Sequence, residues 1–493
     1  MSSRTRSRGD AGPPPAVASV LVCTGCGAVA PADQPFTPRC PRRRHDDDID
    51  HVLARILSLD RLVPPRDPDP NPFIRYRTLF HAYHVARAAG WTDGRYTDLV
   101  SELDDAVAAV DGRGFRVTPL RRSRTLSRAV GLGHHGEVWV KDETGNVAGS
   151  HKARHLFGIL LELRVAEDVA GVDPARPLAI ASCGNAALAA AVVARAAGRD
   201  LRVFVPESAD EGVVERLRTL DATVVVCPRR PGEAGDPSYL RLHEAVVHGA
   251  VPFTCQGPDD GFAIEGGATL SWEIADALRE IGATLDRIVV QVGGGALASG
   301  IALGFGEAAS LGAIPAPPRL DTVQTRGGWP LARAFEQVVH DLGATPGVPL
   351  DMLRIRDGLH VAARRRSRYM WPWETEPRSV AHGILDDETY DWLAVVRAML
   401  ATGGRTVVVD EDELLAANVL AREATGVDAD ETGTAGVAGL LALARTGVIE
   451  PGEHVAVVLS GIRHTADPAS ASTSASQTSA SQASTTPPHR STP

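Results

Sequence analysis

Short apolar runs alternate with helix-length segments through the middle of this chain. Strands are expected at 178–181, 201–205, 223–227 and 287–292, and helices at 187–197, 212–220 and 266–281. Few folds accommodate that rhythm. Parallel strands need a crossover long enough to hold a helix, so repeated strand–helix–strand units wind into a largely parallel sheet covered on both faces. Helices at 411–425 and 436–445, then a last strand at 454–459, carry the pattern on. The expected class is α/β, built from doubly wound parallel sheets. Ligands in such sheets bind beyond the carboxyl ends of the strands. The turns that follow strands are therefore where chemistry is sought. One stretch, 354–378, breaks the pattern with Arg364, Arg365, Arg366 and Arg368 ahead of Met370-Trp371-Pro372-Trp373. It reads as a long loop over a site or an interface.

The turn with the most unusual chemistry lies at 138–154, VWVKDETGNVAGSHKAR. Val138, Trp139 and Val140 read as a strand, and Lys141, Asp142 and Glu143 leave it with charge. Gly145, Asn146 and Gly149 make the next segment a turn. A helix is expected from Ser150, with that serine as N-cap, which puts Lys152 in the first turn. A helix N-terminus disfavours positive charge, and partial burial disfavours it further. Both push the amine toward its neutral, nucleophilic form, which can form a Schiff base with an aldehyde. The same position also suits a lysine that lays its stem on the helix and keeps its charge in water.

A second turn, Gln291-Val292-Gly293-Gly294-Gly295-Ala296-Leu297, follows a strand and opens a helix. Its glycines let backbone N–H groups converge on an anion, and the helix dipole adds to the attraction. A phosphate dianion fits there, and so does a tight structural turn. Gly293-x-Gly295-x-x-Ala298 also satisfies a relaxed dinucleotide fingerprint, but that reading wants an acidic residue closing the next strand. Asp321 lies inside it instead. Ser182-Cys183-Gly184-Asn185-Ala186 forms a third polar turn, and Ser460-Gly461 ends the last strand. Read alone, Cys183 is a buried small residue and Ser460 an ordinary strand-end serine. Glu265 and Glu273 are candidate site acids whose simpler reading is a solvated helix glutamate.

In this order the stretches resemble the tryptophan synthase β-like, fold type II family of pyridoxal phosphate (PLP) enzymes. Lys141-Asp142-Glu143, followed by Gly149-Ser150-x-Lys152-x-Arg154, is similar to the family's lysine motif. The Lys-Asp-Glu looks most like threonine synthases and threonine dehydratases. Thr118-Pro119-Leu120 resembles the segment that precedes the cofactor domain. The resemblance covers about 118–461. It implies that Lys152 carries PLP and, once freed by substrate, acts as general base. It implies that Gly293, Gly294, Gly295, Ala296 and Leu297 hold the cofactor phosphate. Ser182, Cys183, Gly184 and Asn185 would hold the substrate carboxylate, Asn185 also meeting the cofactor 3′-oxygen. Ser460 would face the pyridine nitrogen. A hydroxyl there makes a milder electron sink than an aspartate, which favours loss of a β or γ leaving group over transamination.

The implied function is a PLP-dependent lyase that removes the α-proton of an amino acid and then eliminates or replaces a β or γ substituent, threonine synthase-like. Threonine or serine ammonia-lyase, a β-replacement synthase, and a PLP-binding protein without turnover are the other outcomes. The chain departs from the family at Asn146-Val147-Ala148-Gly149, where relatives have Asn-Pro-Thr-Gly, and at His151, where they favour Phe. The histidine beside the lysine bears on substrate choice.

At 493 residues the chain is long enough for several subdomains with real cores. The expected organisation is a disordered N-terminus at 1–20, a degenerate zinc-ribbon-like segment at 21–50 and a helical extension at 51–115. The PLP-dependent core follows at 116–464, its smaller subdomain at roughly 155–285, and a disordered Ser/Thr/Ala tail closes the chain at 465–493. Cys23-x-x-Cys26-Gly presents two thiolates and Cys40 a third, but Arg43 stands where a fourth ligand is expected and His45 is oddly spaced. Cys23, Cys26 and Cys40 are possible ligands, and tightly held zinc is not expected. Asp46, Asp47, Asp48 and Asp50 read as an acidic helix start.

A net charge of −10 speaks against general nucleic-acid binding. No apolar stretch is long enough to span a membrane. Arg4, Arg6 and Arg8 before the short apolar 16–22 mimic a leader, but prolines at 13–15 break it. A cytoplasmic protein with reduced thiols, a small amino-acid substrate and a homo-oligomeric, dimeric state is expected.

Overall fold

The computed structural model describes residues 18–30, 36–44, 46–233, 235–375 and 377–464. The tail at 465–493, most of the N-terminal 1–20 and His45 lie outside the described residues. Twelve strands are described: β1 Ser19–Cys23, β2 Leu53–Leu57, β3 Leu120–Arg122, β4 Glu137–Asp142, β5 Leu178–Ala181 and β6 Leu201–Val205, then β7 Thr223–Val226, β8 Val251–Pro252, β9 Arg287–Gln291, β10 Arg319–Thr325, β11 Thr406–Val409 and β12 His454–Leu459. They form a two-stranded ribbon β1-β2, a six-stranded sheet ordered β11-β10-β9-β12-β4-β3 and a four-stranded sheet ordered β7-β6-β5-β8. The ribbon and the β3–β4 edge are antiparallel, and every other pairing is parallel. The α/β alternation expected from the sequence is thus the architecture found. No helix among the described residues is long and apolar enough to cross a membrane.

The pleat explains why β9 and β12 are apolar throughout. Ile288 and Val290, with Ala456 and Val458, enter one hydrophobic core, while Val289, with Val455 and Val457, enters the core on the opposite face. A sheet covered on both sides has no solvent face to mark with polar residues. A third core joins the smaller sheet to the helix Lys152–Ala170 and to the N-terminal helices His81–Ala88 and Asp93–Asp111. Lys152–Ala170 and Ala263–Glu280 touch backbone to backbone. A Cβ on Gly266 would stand 1.9 Å from the Arg154 carbonyl oxygen, so only glycine fits.

Three local expectations are corrected. Ser150 is not an N-cap: its extended backbone bridges Gly461, and the helix begins at Lys152 behind His151. The stretch after 350 is not all loop. Asp351 caps a helix at Met352–Ala363, and its Ile355, Leu359, Ala362 and Ala363 join the core of the large sheet. Dense arginines masked that apolar spacing. Asp46 to Asp50 start no helix, and the segment runs as irregular, hydrogen-bonded chain into β2.

Candidate active site

The singled-out turns all leave the carboxyl ends of parallel strands: the lysine turn after β4, Ser182–Gly184 after β5, the glycine loop after β9 and Ser460 after β12. Hydrogen bonds draw them together. His151 N–H donates to the Ser460 carbonyl at 3.1 Å, and Ile462 N–H to the Gly149 carbonyl at 2.8 Å. His151 Nδ1 also lies 3.1 Å from the Ser460 carbonyl. A carbonyl only accepts, so Nδ1 carries a proton. Burial, helped by the Lys152 charge, holds its pKa well below the usual imidazole value. His151 therefore fastens the lysine turn to the strand end. From the third turn, Asn185 approaches Gly461 closely, and its Oδ1 is 2.6 Å from His464 Nε2.

Ser460 has a defined polarity. Gln291 Nε2 lies 3.1 Å from the carbonyls of both Gly433 and Val458, which fixes it as the amide nitrogen. The same nitrogen donates to Ser460 Oγ at 2.7 Å. The serine oxygen is thus an acceptor in this bond, and its own proton is free for a partner that lacks one. An unprotonated ring nitrogen is such a partner.

The glycine loop offers backbone N–H groups to a carboxylate. Gly295, at φ +101°, turns the chain into the helix Ala296–Ser310, leaving the first N–H groups of that helix unpaired within it. The half-buried Asp386 carboxylate accepts a hydrogen bond from Gly294 N–H, and a Cβ on Gly293 would come within 2.4 Å of Asp386 Oδ2. The carboxylate oxygen takes an N–H that an oxyanion could take instead. Burial raises the Asp386 pKa to about 6 against the pull of Lys152 and the loop N–H, so losing its charge or swinging aside makes room for a dianion. The donor set suits the expected cofactor: a Gly-rich anion cradle, a hydroxyl with a free proton and a lysine amine.

Lys152 is half-buried, and its charge is felt by Asp386, Asp391 and Cys255. Asp391 is a site residue that sequence reading missed. Its Oδ2 is buried without a hydrogen-bond partner among the described residues, while Gly257 N–H donates to its carboxyl. Burial first, then the nearby Asp50, raises its pKa from 3.8 to about 8. A carboxyl whose pKa rises on folding ionises first in the unfolded chain, so stability falls as pH climbs between the two values. Protein without cofactor should lose stability from about pH 4 to about pH 8, and Asp391→Asn should flatten that slope and gain on the order of 1 kcal/mol at pH 7. Thermal melts of both proteins across that range check it, and identical slopes would refute it.

The charges around the lysine motif are structural. Lys141, Glu143, Arg154 and Glu273 are all buried. Glu273 accepts from Lys141 Nζ and Arg154 Nη1, each at 2.5 Å, and Arg154 Nε donates to Glu143 at 2.8 Å. Thr118 donates its hydroxyl to Glu143 and its N–H to Glu273 at 3.0 Å. Glu273 and Glu265 are therefore not solvated helix glutamates. Glu265 accepts from His81 N–H at 2.8 Å and pairs with Arg55, burial raising its pKa to about 7. Asp321, set aside as a ribose ligand, instead pairs with Arg287 inside the sheet. Cys183 is exposed on its turn, not buried as the sequence suggested. The turn overshoots the strand end, so its small size marks no core position.

The family profile described as "Pyridoxal-phosphate dependent enzyme" matches residues 113–461. A threonine synthase of Methanocaldococcus jannaschii is 24% identical over 346 residues, covering 70% of this chain and 74% of that one. A biosynthetic L-threonine dehydratase of Haemophilus influenzae is 26% identical over 367 residues, 73% of this chain and 60% of its own length. Among solved structures, maize serine racemase aligns with a TM-score of 0.53 at 18% identity, covering 77% of this chain and 98% of its own. That likeness concerns the fold.

Proposed function

Because this chain belongs to the pyridoxal-phosphate dependent enzymes, we propose that it is a lyase of the threonine synthase and threonine dehydratase type. It would take the α-proton from a small amino acid and expel or replace a β or γ substituent. Bound PLP supplies the electron sink that makes the α-proton acidic. The chain supplies the rest. Lys152 would hold the cofactor and, when free, accept the α-proton on Nζ. Gly293, Gly294, Gly295, Ala296 and Leu297 would cradle the phosphate. Ser182, Cys183, Gly184 and Asn185 would orient the substrate carboxylate.

The observation that carries the reading is the Gln291–Ser460 hydrogen bond of 2.7 Å. It leaves Ser460 a proton to donate and no charge with which to protonate the ring. Such a group stabilises a carbanion moderately, which suits rapid loss of a leaving group.

One feature bears on the substrate. Cys183 feels the charge of Asp236. A carboxylate near the substrate turn repels a phosphate ester and attracts an amine. Within this chemistry it favours an unphosphorylated or amine-bearing side chain. A panel of serine, threonine, a phosphorylated hydroxy-amino acid and a diamino acid, scored for phosphate, ammonia and 2-oxo acid, tests it. Ammonia and 2-oxo acid without phosphate are expected. Phosphate release alone would overturn the substrate preference, and no turnover by fully loaded protein would leave a binding protein. A homodimer belongs to the same reading, with sedimentation equilibrium as its test.

A further inference from the structure

We propose that Cys23, Cys26, Cys40 and His51 form a closed tetrahedral zinc site that pins the N-terminal ribbon to the wall of the active site. Among the described residues, their ligand atoms all lie within 4.8 Å of one another. Cys23 ends β1, and the turn after it, closed by Gly27 N–H to the Cys23 carbonyl at 2.9 Å, brings Cys26 around. Cys40 comes from the following loop. The fourth ligand was expected near position 43, beside Cys40. It comes instead from the segment leading into β2, where Thr24 N–H donates to the Val52 carbonyl at 2.9 Å and sets His51 against Cys23. A Cβ on Gly25 would stand 2.2 Å from the Asp50 carbonyl oxygen, so the crossing requires glycine there.

The spacings are those of a metal tetrahedron. With Zn–S near 2.3 Å and Zn–N near 2.0 Å, its edges should be about 3.8 Å between sulfurs and about 3.5 Å from sulfur to nitrogen. Cys26 and Cys40 Sγ are 3.6 Å apart, and Cys23 Sγ is 3.4 Å from His51 Nδ1. A disulfide would need about 2.0 Å. His51 Nε2 lies 3.1 Å from Asp47 Oδ2. The carboxylate accepts the Nε2 proton, which leaves the Nδ1 lone pair turned toward the thiolates, as metal-bound histidines require. Three thiolates and an imidazole fill the coordination sphere, so the site is structural and not catalytic.

Its neighbours give it a task. Asp50 N–H donates to the Ala363 carbonyl at 2.7 Å, and Ser367 N–H to Asp48 at 2.7 Å. On the other side Gly261 N–H donates to the Pro38 carbonyl at 3.0 Å, and Arg39 pairs with Asp259 at 2.8 Å. The segment 257–261 adjoins Asp391, whose carboxyl faces Gly257. Metal at the ribbon thus holds the segment that faces Asp391, a carboxyl that feels the Lys152 charge.

The test uses full-length protein purified with reductant. Elemental analysis should give one zinc per chain, and cobalt exchanged into the site should produce thiolate charge-transfer and tetrahedral d–d bands. His51→Ala should lose the metal while His51→Cys keeps it, which separates loss of a ligand from misfolding. Asp47→Asn should weaken binding by about 10–100-fold. Protein that holds no zinc in excess metal and gives no cobalt bands, or His51→Ala with full zinc, would overturn the proposal.

Discussion

Lys152→Ala should abolish the covalent link between protein and cofactor and lower turnover by at least about a thousandfold. Two duties are proposed for this amine. It opens the helix Lys152–Ala170, half-buried, beside a turn stapled by His151 to the strand end that carries Ser460. The neighbouring His151 and His155 add no charge: burial and the Lys152 charge hold His155 at about 3, and His151 is likewise neutral. Nothing cationic therefore replaces the lysine when it is removed. Arg154 is adjacent but is occupied by Glu143 and Glu273. Borohydride reduction followed by peptide mass spectrometry should find a pyridoxyl group on Lys152 in the wild type and on no residue of the variant. The variant should still fold and bind PLP loosely through its phosphate, because the glycine loop is untouched. A variant that keeps wild-type turnover would return Lys152 to the role of a surface lysine.

Glu273→Gln should destabilise the fold by about 3–5 kcal/mol. Glu273 is nearly inaccessible, at 1% exposure, and lies between Lys141 and Arg154, which are equally buried. Burial by itself would raise its pKa, but the two cations outweigh that and hold it below the ordinary glutamate value. A carboxyl with a depressed folded pKa contributes stability above its unfolded pKa and loses it as pH falls through the folded one. The glutamine keeps the shape and removes the charge, leaving Lys141, Glu143 and Arg154 with one uncompensated positive charge away from water. Lys141→Met added to Glu273→Gln should recover much of the loss, since the remaining pair is balanced again. Denaturant unfolding of the single and double variants checks this. A loss below about 1 kcal/mol in the single variant would mean that water reaches the network.

The charges of the lysine motif show where sequence reading reached its end. Lys141-Asp142-Glu143 was visible as a charged run leaving a strand, and a charged run is ordinarily solvated. Nothing local announces that Glu273, 132 positions beyond Lys141, will meet it in the core. The same holds for His51. It follows a run of aspartates that resembles a helix start, and only the antiparallel pairing of β1 with β2 brings it to the thiolates. Asp391 carried no motif, and its surroundings come from segments near Gly257 and Asp50.

What the sequence determined by itself was periodic or local. Alternating strand and helix lengths specified the parallel sheets, because the side-chain period and the crossover length leave little choice. Glycine at Gly293, Gly294 and Gly295 and the polar turns at Ser182 and Ser460 marked the strand ends, because backbone conformation there depends on nearest neighbours. The tertiary structure alone decided which charges are buried together, that Asp386 meets the Gly294 N–H, that Cys183 is exposed and that His51 joins the cysteine cluster. Those outcomes depend on contacts between residues far apart in the chain, whose free energies come from burial and electrostatics and not from local conformational preference.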